Sequence, residues 1–195
     1  MSGEVPELDA LEDGALMVLF ANGDRGAARV LTGRLLPRAL NHAARVLGDR
    51  AEAEDVAQEA MMRLWKAARD WRQDGAAAPA TWLYRVVANL CVDRLRRRGR
   101  SEPLDDPDMA ADAAPGVEAR MVHADRIAAL DRALAHLPER QRQAVVLRHI
   151  EGLSNPEIAM VLDLGVEAVE SLTARGKRAL ARALAGQKEA LGYGD

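Results

Sequence analysis

The sequence predicts an all-α protein of two small helical domains joined by a flexible acidic linker. Three observations carry this expectation. Aromatic residues make up only 3% of the 195-residue chain, and Ala, Leu and Arg dominate it; these three are strong helix formers, whereas strands draw on β-branched and aromatic residues. Apolar residues recur at helical spacing through most of the chain. That periodicity stops near residue 101, where Pro103, Pro107 and Pro115 sit among acidic residues and few large apolar ones, the composition of a linker. The chain thus divides into an acidic tail 1–13, a first domain 14–100, a linker 101–122, a second domain 123–186 and a tail 187–195.

In the first domain, residues 14–48 read as two helices parted at Asn22-Gly23-Asp24. Pro37 lies inside the second, so a kink or a break is expected there. Residues 51–70 form a third helix, with Val56, Ala60, Leu64 and Ala67 in one stripe. Residues 72–80 read as a loop. Residues 81–98 form a fourth helix, with Trp82, Val86, Leu90 and Leu95 on a common side and a run of arginines at its end. In the second domain, Ile127, Leu130, Leu134 and Leu137 form one stripe that Pro138 interrupts. A helix over 139–150 and a compact pair over 155–162 and 166–184 follow.

Composition excludes several classes. Hydrophobic residues at 49% and charged residues at 29% make a soluble, globular balance. The net charge of −3 gives no global attraction to nucleic acid, so DNA binding has to rest on local clusters. Cys91 is the sole cysteine, which rules out an intramolecular disulfide framework and suits a reducing cytoplasm; it reads first as a small buried apolar group. The acidic start of the chain is not a secretory signal, and the longest apolar run, residues 15–21, is far too short to insert across a membrane. His42, His123, His136 and His149 are dispersed. No paired acid and base, nucleophile or phosphate loop is present, so no catalytic residue, metal, cofactor or small-molecule substrate is expected.

The segment LSNPEIAMVLDLGVEAVESL, residues 153–172, has the arithmetic of a helix-turn-helix. Ser154 and Glu157 make a capping box, Pro156 fits a first helical turn, and Asp163-Leu164-Gly165 is a short turn that tolerates left-handed backbone. The second helix would enter a major groove with Glu167, Ala168, Glu170, Ser171, Ala174 and Arg175 outward. Arg175 suits guanine and Glu170 suits cytosine, while Lys177, Arg178 and Arg182 suit phosphates. A helical hairpin with a solvated charged face is the plainer alternative. Gly176 is expected to weaken this helix by about 1 kcal/mol. Arg94, Arg96, Arg97, Arg98 and Arg100 form the densest positive cluster of the chain. Exposed arginines this close repel one another unless anions neutralise them, and phosphate is the natural anion.

Four segments in order, of which the helix-turn-helix over 153–172 is the last, resemble the extracytoplasmic-function (ECF) RNA polymerase sigma factors of the sigma-70 family. DRAEAEDVAQEAMMRLW, residues 49–65, is similar to the family's polymerase-binding helix, and TWLYRVVANLCVDRLRRRGR, residues 81–100, to its promoter-melting segment. LAHLPERQRQAVVLRHI, residues 134–150, matches the segment before its helix-turn-helix. The resemblance covers residues 14 to 185. It implies sigma region 2 over 14–100, for core polymerase binding and downstream promoter recognition and melting, and sigma region 4 over 123–186, for the upstream element. Asp55, Gln58 and Glu59 would bind core polymerase, with Trp65 packing nearby. Asn89, Arg94, Arg96, Arg97, Arg98 and Arg100 would meet downstream promoter DNA. Glu167, Glu170, Ser171, Ala174, Arg175, Lys177 and Arg178 would meet upstream DNA. Trp82 and Tyr84 are candidates for stacking on bases, although Trp82 also falls on the apolar stripe. The acidic linker, with Asp105, Asp106, Asp108 and Asp112, either mimics RNA charge near the polymerase active site or is a solvated spacer. An anti-sigma partner, often membrane-bound, is implied by the resemblance alone. A decoy that captures an anti-sigma protein and a helix-turn-helix repressor are the rival readings; the arginine cluster argues against the first and the polymerase-binding helix against the second.

Overall fold

A computed structural model describes residues 8–71, 77–101 and 118–190, with side chains placed for 8–71, 77–99 and 127–185. The described residues form eight α-helices and two short 3-10 turns, and no strand. The acidic linker positions Asp105, Asp106, Asp108 and Asp112 lie outside them.

Helix α1 (Asp13–Ala21) leads to α2 (Arg25–Leu47), which Asp24 caps: one carboxylate oxygen accepts from the backbone N–H groups of Gly26 at 2.7 Å and Ala27 at 3.0 Å. The helix continues unbroken through Pro37, so of the expected kink or break the break does not occur. Its physical reason is position. Pro37 and Gly33, whose carbonyl loses its helical partner, are both exposed, so water can serve that carbonyl. Leu31, Leu35 and Ala39 bury the opposite face on both sides of the proline. Gly48, at φ 68°, ends α2 in left-handed backbone.

Helix α3 (Arg50–Ala67) begins at the Asp49 cap, which accepts from Glu52 N–H at 3.0 Å. Helix α4 (Pro79–Ser101) closes the first unit. Leu16, Leu31, Leu35, Val46, Val56, Leu64, Leu83, Val87 and Cys91 meet in one core, each at most 1% exposed. Burial pushes the Cys91 thiol up to about 12, so it packs as an apolar group, as the sequence suggests. Trp82 also packs against this core, which favours its structural reading over base stacking.

The second unit holds α5 (Glu118–Ala135), α6 (Glu139–His149), α7 (Asn155–Leu162) and α8 (Val166–Ala190). Helix α5 starts at Glu118, four residues before the expected end of the linker at 122. The capping box forms as expected: Ser154 N–H donates to Glu157 at 2.8 Å, and Glu157 N–H returns to Ser154 Oγ at 3.4 Å. The hydrogen bonds from Ser154 hold the Glu157 carboxyl below its usual range. In the turn, Asp163 rather than Gly165 takes left-handed backbone, at φ 53°.

Gly176 has a packing reason beside its cost in helix propensity. It is buried where α8 crosses α6, and a Cβ there would lie 2.5 Å from Val145 Cγ2 and 3.2 Å from the Gln141 carbonyl oxygen. The glycine gives up helix propensity to let the two backbones approach.

The two units meet along a seam. Tyr84 and Ala88 of α4 complete an apolar cluster with Leu147, Leu153, Ile158, Val161 and Val169. The Tyr84 hydroxyl donates to Glu151 Oε2 at 2.5 Å. Arg142 of α6 donates to the carbonyls of Val46 at 2.6 Å and Ala135 at 2.7 Å. Arg45 of α2 faces Asp131 of α5 at 3.7 Å.

Candidate functional site

One face of α3 is left open by the core. Val56, Ala60 and Leu64 point inward, and a turn of helix therefore turns Asp55, Gln58 and Met62 outward; Met62 is 57% exposed. Asp55, Gln58, Glu59, Met62, Arg63 and Lys66 line a groove of about 530 Å³ whose far wall is Arg94 of α4. Arg63 bonds Glu59 at 2.5 Å within the helix. The groove offers carboxylates, an amide, cations and an apolar floor together, which suits a protein surface of mixed charge better than a nucleic acid. Trp65 does not line it. Its ring packs behind the helix on Phe20 of α1, with ring centroids 4.6 Å apart, and so braces α3 from the core side.

Helix α4 carries the arginine cluster, and its helical repeat splits it. Arg96 and Arg97 are exposed. Arg94 lies 3.6 Å from Asp55. Arg98 reaches Glu52 at 3.0 Å, Asp49 at 3.3 Å and the Leu47 carbonyl at 3.0 Å. The Arg100 side chain lies outside the described residues. Asn89 is exposed and borders a cleft of about 590 Å³ with Arg96 of α4, Glu139 and Arg140 of α6 and Leu164 beyond α7. Tyr84 is buried at the seam, edge-on to His42 at 5.6 Å, and burial followed by the Glu151 bond raises its pKa. In this arrangement it faces protein, not bases.

Helix α8 presents Glu167, Ala168, Glu170, Ser171, Ala174, Arg175, Lys177 and Arg178 to solvent, while Val169 is fully buried against α7. The geometry is that of a helix-turn-helix with its second helix open along one side. Asn155 reaches Glu170 at 3.4 Å, and Arg175 Nε bonds the Ser171 carbonyl of its own helix at 3.3 Å. The structure therefore gathers the expected residues on three separate surfaces, on α3, α4 and α8. Sequence reading took Tyr84 as a stacking candidate and missed its place in the seam, and it missed Arg142 and Glu151 there. Their only signal was local: a tyrosine and an arginine inside otherwise apolar helical faces.

Residues 31–101, which span most of α2 through α4, match the family described as Sigma-70 region 2, and residues 127–180, within α5 to α8, match Sigma-70, region 4. The RNA polymerase sigma-H factor of Pseudomonas aeruginosa is 34% identical over 185 residues, covering 89% of this chain and 94% of the relative. The ECF RNA polymerase sigma factor SigM of Mycobacterium tuberculosis is 37% identical over 175 residues, covering 88% and 84%. This chain belongs to the ECF sigma factors of the sigma-70 family. It is an alternative sigma factor that directs promoter-specific transcription initiation. Among solved structures, CnrH in complex with the cytosolic domain of CnrY is 28% identical, with a TM-score of 0.65 over 89% of this chain and 97% of CnrH. Among the described residues, no helix of the ECF sigma factor is long and apolar enough to cross a membrane.

Proposed function

We propose that the ECF sigma factor works through three surfaces: Asp55, Gln58 and Glu59 on α3 bind core RNA polymerase, the exposed side of α4 with Asn89, Arg96 and Arg97 engages the downstream promoter element, and α8 from Glu167 to Arg178 reads the upstream element. The domain division follows, with region 2 over 14–100 and region 4 over 123–186. The observation that carries this reading is the open face of α3, where Asp55, Gln58 and an exposed Met62 surround a groove that the fold leaves unfilled. The chain acts in the cytoplasm as a specificity subunit, and the polymerase supplies the chemistry.

The described arrangement is a resting one. Promoter elements follow one another along a duplex at 3.4 Å per base pair, whereas here Asn89 of α4 borders a single cleft with α6 and the end of α7. Both surfaces can serve one promoter only after the Tyr84–Glu151 and Arg142–Val46 bonds part. An anti-sigma partner would hold or cover this state; CnrH, which this chain resembles, is itself solved in complex with another protein, the cytosolic domain of CnrY, which supports a protein partner.

Run-off transcription with sigma-free core polymerase and genomic fragments tests the function. New start sites that share two spaced upstream motifs are expected. Core binding without any new start would turn the reading toward a decoy. Loss of both would remove the assignment of Asp55, Gln58 and Glu59.

A further inference from the structure

The five-arginine run at the end of α4 is not one surface. Successive residues on a helix turn by about 100°, so Arg94 and Arg98, four apart, share a stripe that Arg96 and Arg97 do not. That stripe faces α3. Arg98 lies against two carboxylates, Glu52 at 3.0 Å and Asp49 at 3.3 Å, and it satisfies the Leu47 carbonyl at the end of α2 at 3.0 Å. One guanidinium thus ties the end of α2, the cap of α3 and the middle of its first turns to α4, a task that needs the planar fork of arginine. The local charge around it is negative, two carboxylates against one cation, and a phosphate approaching there would be repelled. Arg94 is likewise set 3.6 Å from Asp55 and walls the α3 groove.

We infer that Arg98 and Arg94 are positioning residues for the polymerase-binding helix, fixing where α3 presents Asp55, Gln58 and Glu59, and that the phosphate contacts of α4 fall to Arg96 and Arg97. This rests on the assignment of the α3 face to core polymerase. It explains why so many arginines coexist in seven residues: two of them face carboxylates of α3 and its cap and do not await an anion.

The experiment uses the full chain, purified core polymerase and a promoter fragment mapped by run-off transcription. Two quantities are read: the affinity for core, and the slope of log affinity against log salt for holoenzyme on the promoter. Arg97→Ala is expected to reduce the salt slope by about 1 and leave core affinity unchanged. Arg98→Ala is expected to weaken core binding about tenfold and leave the slope unchanged. Because Arg98→Ala also loosens the fold, the exchange Glu52→Arg with Arg98→Glu provides the second test. Regained core affinity relative to Arg98→Glu alone supports the inference, since a phosphate contact would not return with the charges swapped. A slope reduced by about 1 in Arg98→Ala, with core affinity intact, overturns it. Glu59→Ala serves as the reference: if it leaves core affinity unchanged, the assignment of the α3 face fails, not the partition of the arginines.

Discussion

The two helical units differ in where their cores end. Every buried side chain of the first core comes from α1 to α4 and the turn after α3. The second unit has two smaller clusters. One, built on Leu134, Leu137, Val145 and Val146, is its own, but the other is completed by Tyr84 and Ala88 of α4. The first unit therefore carries its stability with it wherever it docks. The second leaves an apolar face of α7 exposed when it leaves α4, including Ile158 and Val161, both at most 1% exposed here. The proposed separation uncovers Tyr84 and Ala88 of α4 as well, but the first unit keeps its own core whole, whereas the second loses the closing wall of one of its two clusters.

The largest effect that sharpens this contrast is acid sensitivity, and it belongs to the first unit. His42 of α2 is 0% exposed, and neither ring nitrogen has a hydrogen-bond partner. Burial first, and then the nearby Arg45 charge, lower its pKa to about 4 from the ordinary 6.5. The folded state then holds His42 neutral over a range where the unfolded chain is protonated. Its contribution is complete above pH 6.5 and is lost as pH falls from 6.5 to about 4. Two and a half pKa units correspond to about 3 kcal/mol. His149 of α6 shifts in the same direction, through burial, Lys177 and Arg148, but it is exposed. Hydrogen exchange at pH 7 and pH 4.5 should show α2 and α4 losing protection more than α6 and α8. His42→Phe, which fills the same space without a titrating group, should flatten that dependence. An unchanged pH profile in His42→Phe would place the acid sensitivity elsewhere.

Next in size is a test of the core that the second unit does own. Gly176→Ala adds a better helix former, a gain of about 1 kcal/mol if nothing else changes. The new methyl would stand 2.5 Å from Val145 Cγ2, a stiff β-branched group with no flexible end to move aside. Overpacking of this kind costs about 1–3 kcal/mol, so a net loss of about 1 kcal/mol is expected in thermal unfolding. A rise in melting temperature would mean that α6 and α8 do not cross closely at this residue.

Much of this architecture could be read from local chemistry. The box at Ser154 and Glu157 marked the start of α7 because the groups that satisfy a helix terminus lie within three residues of it. The outward set on α8 followed from one buried residue, Val169, and the helical repeat. What could not be read depends on partners distant along the chain. Whether Pro37 breaks α2 depends on which side faces solvent. Whether Arg98 meets a phosphate or Glu52 depends on a neighbour 46 residues away. Whether Gly176 weakens a helix or permits a crossing depends on Val145, on another helix. The seam is the extreme case, since Tyr84 and Glu151 are 67 residues apart and the motif that holds Tyr84 says nothing of Glu151.

The smallest effect probes the seam directly. Tyr84→Phe keeps the ring against His42 and the apolar cluster and removes only the hydroxyl that bonds Glu151. A hydrogen bond to a carboxylate at a partly exposed site is worth about 1 kcal/mol, close to a fivefold change in the ratio of docked to separated units. Dyes placed on cysteines introduced at Arg69 and Arg182, both exposed and on different units, report that ratio as a distance distribution. Cys91 is fully buried and should stay unlabelled. Tyr84→Phe should move weight to longer distances, and Glu151→Gln should do so less, because it retains an acceptor. A distribution unchanged by either substitution would mean that Ala88, Ile158 and their neighbours hold the seam by apolar contact alone. Separation would then be governed by whatever competes for that apolar face, with no polar latch to release.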